Sequence, residues 1–129
     1  MKEKIETENL CVIKAFEKAW QTLDASIVEP YLVSDFHYDS QWVLSAIESK
    51  EEYMNYLTGK FNAIRKGNAP VEAKIAKEGH NGIFITQKDG EEERNAVLVI
   101  SVKNGMATCA NLCMPGLCFL TDLRKEYKG

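Results

Sequence analysis

The chain has 129 residues, 16 Lys and Arg against 19 Asp and Glu, 45% hydrophobic and 27% charged residues, and a formal net charge of -3. Those values exclude a disordered chain and predict a single domain over 1–129, large enough to build a hydrophobic core without staples. A mildly acidic balance with no basic block argues against nucleic acid or an anionic membrane as partner.

Acids at Glu3 and Glu6 interrupt the N-terminal stretch, so it lacks the apolar core of a secretory leader. The longest apolar run, Ala96–Ile100, is far too short to span a membrane. A cytoplasmic chain is therefore expected, with Cys11, Cys109, Cys113 and Cys118 as reduced, metal-free thiols.

In chain order, residues 5–24 carry the stripe Val12, Phe16, Ala19, Trp20, Leu23 at helical spacing. Ser26-Ile27-Val28-Glu29 reads as a capping box, which predicts a short second helix that tolerates Pro30 in its first turn and stops near Leu32–Ser34. Asp35–Leu44 is aromatic and alternating, as in a strand or a bulged pair. Regular alternation puts Phe36, Tyr38, Ser40 and Trp42 on one face and His37, Asp39 and Gln41 on the other. Ser49-Lys50-Glu51-Glu52 is a second capping box. It opens a third helix with the stripe Tyr53, Tyr56, Leu57, Phe61, Ile64 and with Gly67 as its C-terminal cap.

After Pro70 the period changes from 3.6 to 2. Strands are predicted over Val71–Lys77, Ile83–Lys88, Asn95–Lys103 and Met106–Met114. The third is apolar on both faces and so central, and Asn104-Gly105 joins it to the fourth as a tight hairpin. The tail Leu117–Leu123 is apolar enough to dock, and residues beyond it are expected to fray. Helices first and an antiparallel meander last make an α+β protein.

The chemistry-bearing residues form no familiar motif. On one strand Cys109 and Cys113 would stand about 13 Å apart, too far to share a zinc ion. With two histidines and scattered carboxylates no metal site is expected. The eight glycines form neither a dinucleotide fingerprint nor a phosphate loop, and there is no nucleophile elbow. No cofactor is expected. His80, in a Gly-Asn-Gly turn, reads as exposed.

Four stretches together resemble the NTF2-like superfamily, the SnoaL-like or cystatin-fold-like cone. They are Ala19-Trp20-Gln21-Thr22-Leu23-Asp24, Val33–Ser40, Ser49–Tyr53 and Asn111-Leu112-Cys113-Met114-Pro115. The resemblance covers nearly the whole chain. It implies N-terminal helices packed on a curved, mainly antiparallel sheet that encloses an interior pocket, and pairing of two copies through the sheet's outer face. Alternating Val97 and Val99 against Leu98, Ile100 and Val102 leaves an apolar side for a homodimer partner to cover. The elements that line such a cone supply Trp20, Tyr31, Tyr38, Ser40, Trp42, Tyr53 and Met114 as candidate ligand contacts.

The family hosts ketosteroid isomerases, scytalone dehydratase and polyketide cyclases. By that resemblance Asp39 stands where the isomerases keep a proton-moving carboxylate, with His37 as its assisting group. The isomerase pattern also uses a Tyr in the first helix and a second acid on a late strand. Here the helix carries Phe16 and Trp20, and Ala96–Val102 contains no acid, which leaves Tyr31, Tyr53 and Tyr56 as the phenols placed to substitute. Three functions follow: a protein that binds a small apolar or aromatic molecule in the cone, a cofactor-free isomerase, lyase or cyclase using Asp39, or a protein-interaction module using the sheet face.

Overall fold

A computed structural model describes residues 2–40, 43–67, 70–75, 81–89 and 92–113. Trp42, Met114, Cys118, His80 and the 117–123 segment lie outside them.

The first stripe forms helix α1, Lys2–Thr22, which buries Val12, Phe16, Ala19 and Trp20. Leu23 ends it in the left-handed region at φ 56°, and the Asp24 amide donates back to the Ala19 carbonyl at 3.0 Å. That is the bond of a Schellman cap with a leucine where glycine is usual. The Arg65 guanidinium donates to the Leu23 carbonyl and so fixes the reversed residue.

The expected second helix is instead a pair of 3-10 turns, Ala25–Ile27 and Glu29–Tyr31. Its cap is Asp24, not Ser26: the Asp24 carboxylate accepts from the Ser26 amide at 3.0 Å and from the Ser26 hydroxyl at 2.6 Å. These bonds, with Arg65 as a smaller contributor, hold the Asp24 carboxyl below its usual range.

Strand β1, Leu32–Ser40, pairs antiparallel with β2, Val43–Ile47, so the aromatic stretch is a hairpin with an irregular register between Tyr38 and Ser40. Helix α2, Lys50–Gly67, starts as expected on Ser49, whose hydroxyl accepts from the Glu52 amide at 3.1 Å. Gly67 is its last residue rather than a left-handed cap; among the described residues Gly105 is the glycine with positive φ.

The meander is β3 Val71–Ile75, β4 Gly82–Asp89, β5 Glu92–Lys103 and β6 Met106–Cys113. Asn104 and Gly105 both take positive φ, 53° and 74°, the requirement of the tight hairpin turn that keeps the strand twist. The six strands make one sheet in the order β2-β1-β6-β5-β4-β3. All neighbours run antiparallel except β1 and β6, which are parallel. Register shifts in β1 and β5 bend the sheet into an open curve.

Both α-helices cover the same face, α2 over β1 and α1 over β3 to β6. The core between them holds Phe16, Trp20, Phe36, Tyr53, Leu57, Phe61, Leu98 and Ile100. The far edge is sealed by α1. One turn apart on that helix, Gln21 donates to the Ala73 carbonyl at 2.9 Å and Glu17 accepts from the Ile75 amide at 2.8 Å. These satisfy backbone groups on the side of β3 that has no neighbouring strand.

On the outer face Val97 and Val99 are already buried in the single chain, beside Cys113 and half-buried Phe84. The premise that a second copy must cover these valines therefore does not hold. Leu10 is the large hydrophobic residue exposed among the described ones.

Candidate functional site

Strand geometry decides what enters the cone. Phe36 and Tyr38 are buried against α2, whereas His37 and Asp39 are exposed on the opposite face. The irregularity between Tyr38 and Ser40 spans Asp39, which is nonetheless exposed. Asp39 thus fails the requirement for a base tuned by an apolar site, and the expectation that it enters the cone is overturned. His37 does not pair with Asp39 either. Its Nε2 lies 3.9 Å from the Glu48 carboxylate, with both side chains well exposed, in a surface contact of little energetic weight.

Inside the cone, α2 brings Tyr53 and Tyr56 to Tyr38. The Tyr38 ring lies 5.1 Å from that of Tyr53 and 5.3 Å from that of Tyr56, and Phe36 closes the other side of Tyr53 at 4.7 Å. Spacing of three residues places the Tyr53 and Tyr56 rings on one helix face, 6.4 Å apart and nearly parallel. Ser40, half-buried, adds a fourth hydroxyl beside Tyr38.

Burial, reinforced by the neighbouring Tyr56 phenol, pushes both Tyr38 and Tyr53 well above the ordinary phenol range; the Ser40 contact opposes this at Tyr38. These phenols keep their protons at neutral pH and serve as hydrogen-bond donors, not bases. The Tyr53 hydroxyl is buried and has no hydrogen-bond partner among the described residues. Leaving such a group unpaired costs about 1–3 kcal/mol.

Trp20 stands elsewhere in the same core, edge-on to Phe61 with ring centres 5.0 Å apart and planes at 80°. Its indole N–H is likewise buried and unpartnered among the described residues. No other kind of polar or charged side chain is buried there: among the described residues the core has no carboxylate, imidazole, ammonium or guanidinium.

Of the residues expected to contact a ligand, the structure brings Tyr38, Ser40 and Tyr53 together. It places Trp20 in the same core and leaves Tyr31 half-buried at its margin. Tyr56, Phe36 and Phe61 complete the aromatic walls. Phe36 and Phe61 read as packing in the strand alternation and the helical stripe, and Tyr56 as one of the phenols placed to substitute for the missing donor. Cys11 and Cys109 carry free thiols, and the Cys113 thiol points to the Val97 carbonyl at 3.7 Å. Among the described residues, no helix is long and apolar enough to cross a membrane.

No protein-family model matches the sequence, and no curated protein does. Solved structures do match. An LEH-like epoxide hydrolase from M. tuberculosis superposes with a TM-score of 0.60 at 20% identity, over 84% of this chain and 83% of that one. An NTF2-like protein of unknown function from Cytophaga hutchinsonii gives 0.58 at 14% identity, over 84% and 90%. An uncharacterized protein with a cystatin-like fold from Silicibacter pomeroyi gives 0.65 at 14% identity, over 91% and 82%. At these identities the likeness is one of architecture, and with the helices on one face of the curved sheet it shows that this chain has the NTF2-like, cystatin-like cone fold.

Proposed function

We propose that the protein binds a small, uncharged, largely apolar or aromatic molecule in the interior of the cone, with an acceptor oxygen of the ligand held by Tyr53. The observation that carries this is the buried Tyr53 hydroxyl, which has no partner among the described residues and sits inside a wall of aromatic rings. Aromatic walls with a few convergent polar groups suit a small-molecule site. The ligand is uncharged because a buried ion needs a paired countercharge, and the described core offers none. A carbonyl or ether oxygen fits, since a protonated phenol donates. The described residues supply no interior base, so binding is favoured over acid–base catalysis.

Calorimetry with para-acetylbiphenyl and with biphenyl carboxylate, a neutral and an anionic probe of similar shape, tests the reading. The ketone is expected to bind at least tenfold more tightly than the acid, and Tyr53→Phe, which keeps the ring, to weaken the ketone about tenfold. No ketone binding, or no loss in Tyr53→Phe, would overturn it.

Pairing of two copies through the outer sheet face is a separate proposal, with half-buried Phe84 as its apolar contact. Sedimentation at micromolar concentration should give twice the chain mass; a monomer contradicts it.

A further inference from the structure

Helix α2 is attached to two different parts of the molecule. N-terminal to Gly59, Tyr53 packs on Phe36 and Tyr38, and Tyr56 packs on Tyr38, so this half is held to β1. C-terminal to Gly59, Phe61 packs edge-on to Trp20 of α1, and the Arg65 guanidinium donates to the Leu23 carbonyl where α1 ends. Asn62 steadies that guanidinium, accepting from it at 3.1 Å.

Gly59 stands between the two attachments, on the exposed side of the helix. A methyl group there would meet nothing within 4 Å, and the residue keeps a helical backbone, unlike the left-handed Gly105. Neither space nor backbone conformation therefore calls for glycine. Relative to alanine it nonetheless weakens the helix about fivefold at that position.

Tyr53 is 0% and Tyr38 3% exposed, so a molecule reaches the Tyr53 hydroxyl only when something that covers it moves. We propose that α2 hinges at Gly59: residues 50–58 swing off β1 with Tyr53 and Tyr56 and admit the ligand, while the C-terminal half stays clamped to α1. The entry role rests on the cone-binding reading above; the hinge is a property of the free protein. Each helical N–H bonds the carbonyl four residues back. A bend at Gly59 therefore breaks the bonds that cross it, those of the Lys60, Phe61 and Asn62 amides, and keeps the bonds within each half. Such an opening is a local, sparsely populated state, with one residue absorbing the change of backbone angles.

Amide hydrogen exchange on the ligand-free protein tests the hinge. Lys60, Phe61 and Asn62 are expected to exchange faster than the amides on either side, a minimum of protection in the middle of the helix. Fraying from the ends gives the opposite pattern. Gly59→Ala is expected to slow these three amides about fivefold. Gly67→Ala, at the end of the same helix and equally open to a methyl group, should leave them unchanged. Stopped-flow binding of para-acetylbiphenyl tests the entry role: Gly59→Ala should slow association and dissociation about fivefold each and leave the affinity unaltered. Protection that is highest at Lys60–Asn62, or amides there that ignore Gly59→Ala, would overturn the hinge and leave the Tyr53 reading intact. Ketone binding rates that ignore Gly59→Ala overturn the entry role. Absence of ketone binding overturns the cone-binding reading and the entry role with it, while the exchange pattern still decides the hinge.

Discussion

The two faces of β1 lead different lives within a few ångströms of each other. Phe36 and Tyr38 point into the cone and meet the rings of Tyr53 and Tyr56; His37 and Asp39, their immediate neighbours, point to water. The inner face is apolar with a cluster of hydroxyls. The outer face holds His37 and Asp39, and among the described residues His37 makes a loose approach to Glu48. The acid–base candidates of β1, His37 and Asp39, lie on the face in contact with water, not in the apolar interior. What remains inside is a set of protonated donors, which suits recognition of a neutral acceptor.

The sharpest way to break this contrast is to truncate neighbours on the two faces. Phe36→Ala is expected to cost about 3–5 kcal/mol in denaturant unfolding, as for a large buried aromatic. His37→Ala should stay within about 0.5 kcal/mol. Comparable losses would show that the faces are not distinct.

Alternation along Phe36-His37-Tyr38-Asp39 carried this parity in the sequence, and so did the Ser49 cap, the stripe of α2 and the Asn104-Gly105 turn. These are local signals with local causes. The parallel pairing of β1 with β6 joins residues some seventy positions apart, and no periodicity reports such a contact. Asp24 and Ser26 are both good capping residues two positions apart, so the sequence offered two starts and only the Schellman turn at Leu23 selects the first. Asp39 drew attention through a family position; a regular strand with Tyr38 inside necessarily turns it out. The engagement of Glu17 and Gln21 with β3 was invisible for the same reason as the β1–β6 pairing, since both read as the solvated side of an amphipathic helix.

That engagement supplies the next test. Glu17→Ala removes a charged acceptor from the Ile75 amide and should cost about 1.5–3 kcal/mol. Lys18→Ala, on the exposed part of the same turn, should cost under about 0.5 kcal/mol. Equal effects would mean that the contact with β3 carries no weight.

The phenols separate the faces by pH. Tyr38 and Tyr53 hold their protons in the folded chain above the ordinary phenol value of 10.0, where the unfolded chain releases them. The unfolded state then binds fewer protons, so stability is at its full value below pH 10 and falls as pH rises above it. Each fully affected phenol contributes a slope of about 1.4 kcal/mol per pH unit. Unfolding measured across that range should show the decline, and Tyr53→Phe should flatten it. A wild-type profile that is level above pH 10 contradicts the burial of these groups.

The most direct test of the central claim is where a bound ketone sits. A crystal structure of the protein with para-acetylbiphenyl, supported by calorimetry on Tyr53→Phe and Asp39→Asn, gives the answer in one distance. The account predicts the carbonyl oxygen within hydrogen-bonding distance of the Tyr53 hydroxyl, about 2.5–3.0 Å, with affinity lost in Tyr53→Phe and unchanged in Asp39→Asn. A ketone seated on the outer sheet face beside His37 and Asp39, with affinity lost in Asp39→Asn instead, would contradict it.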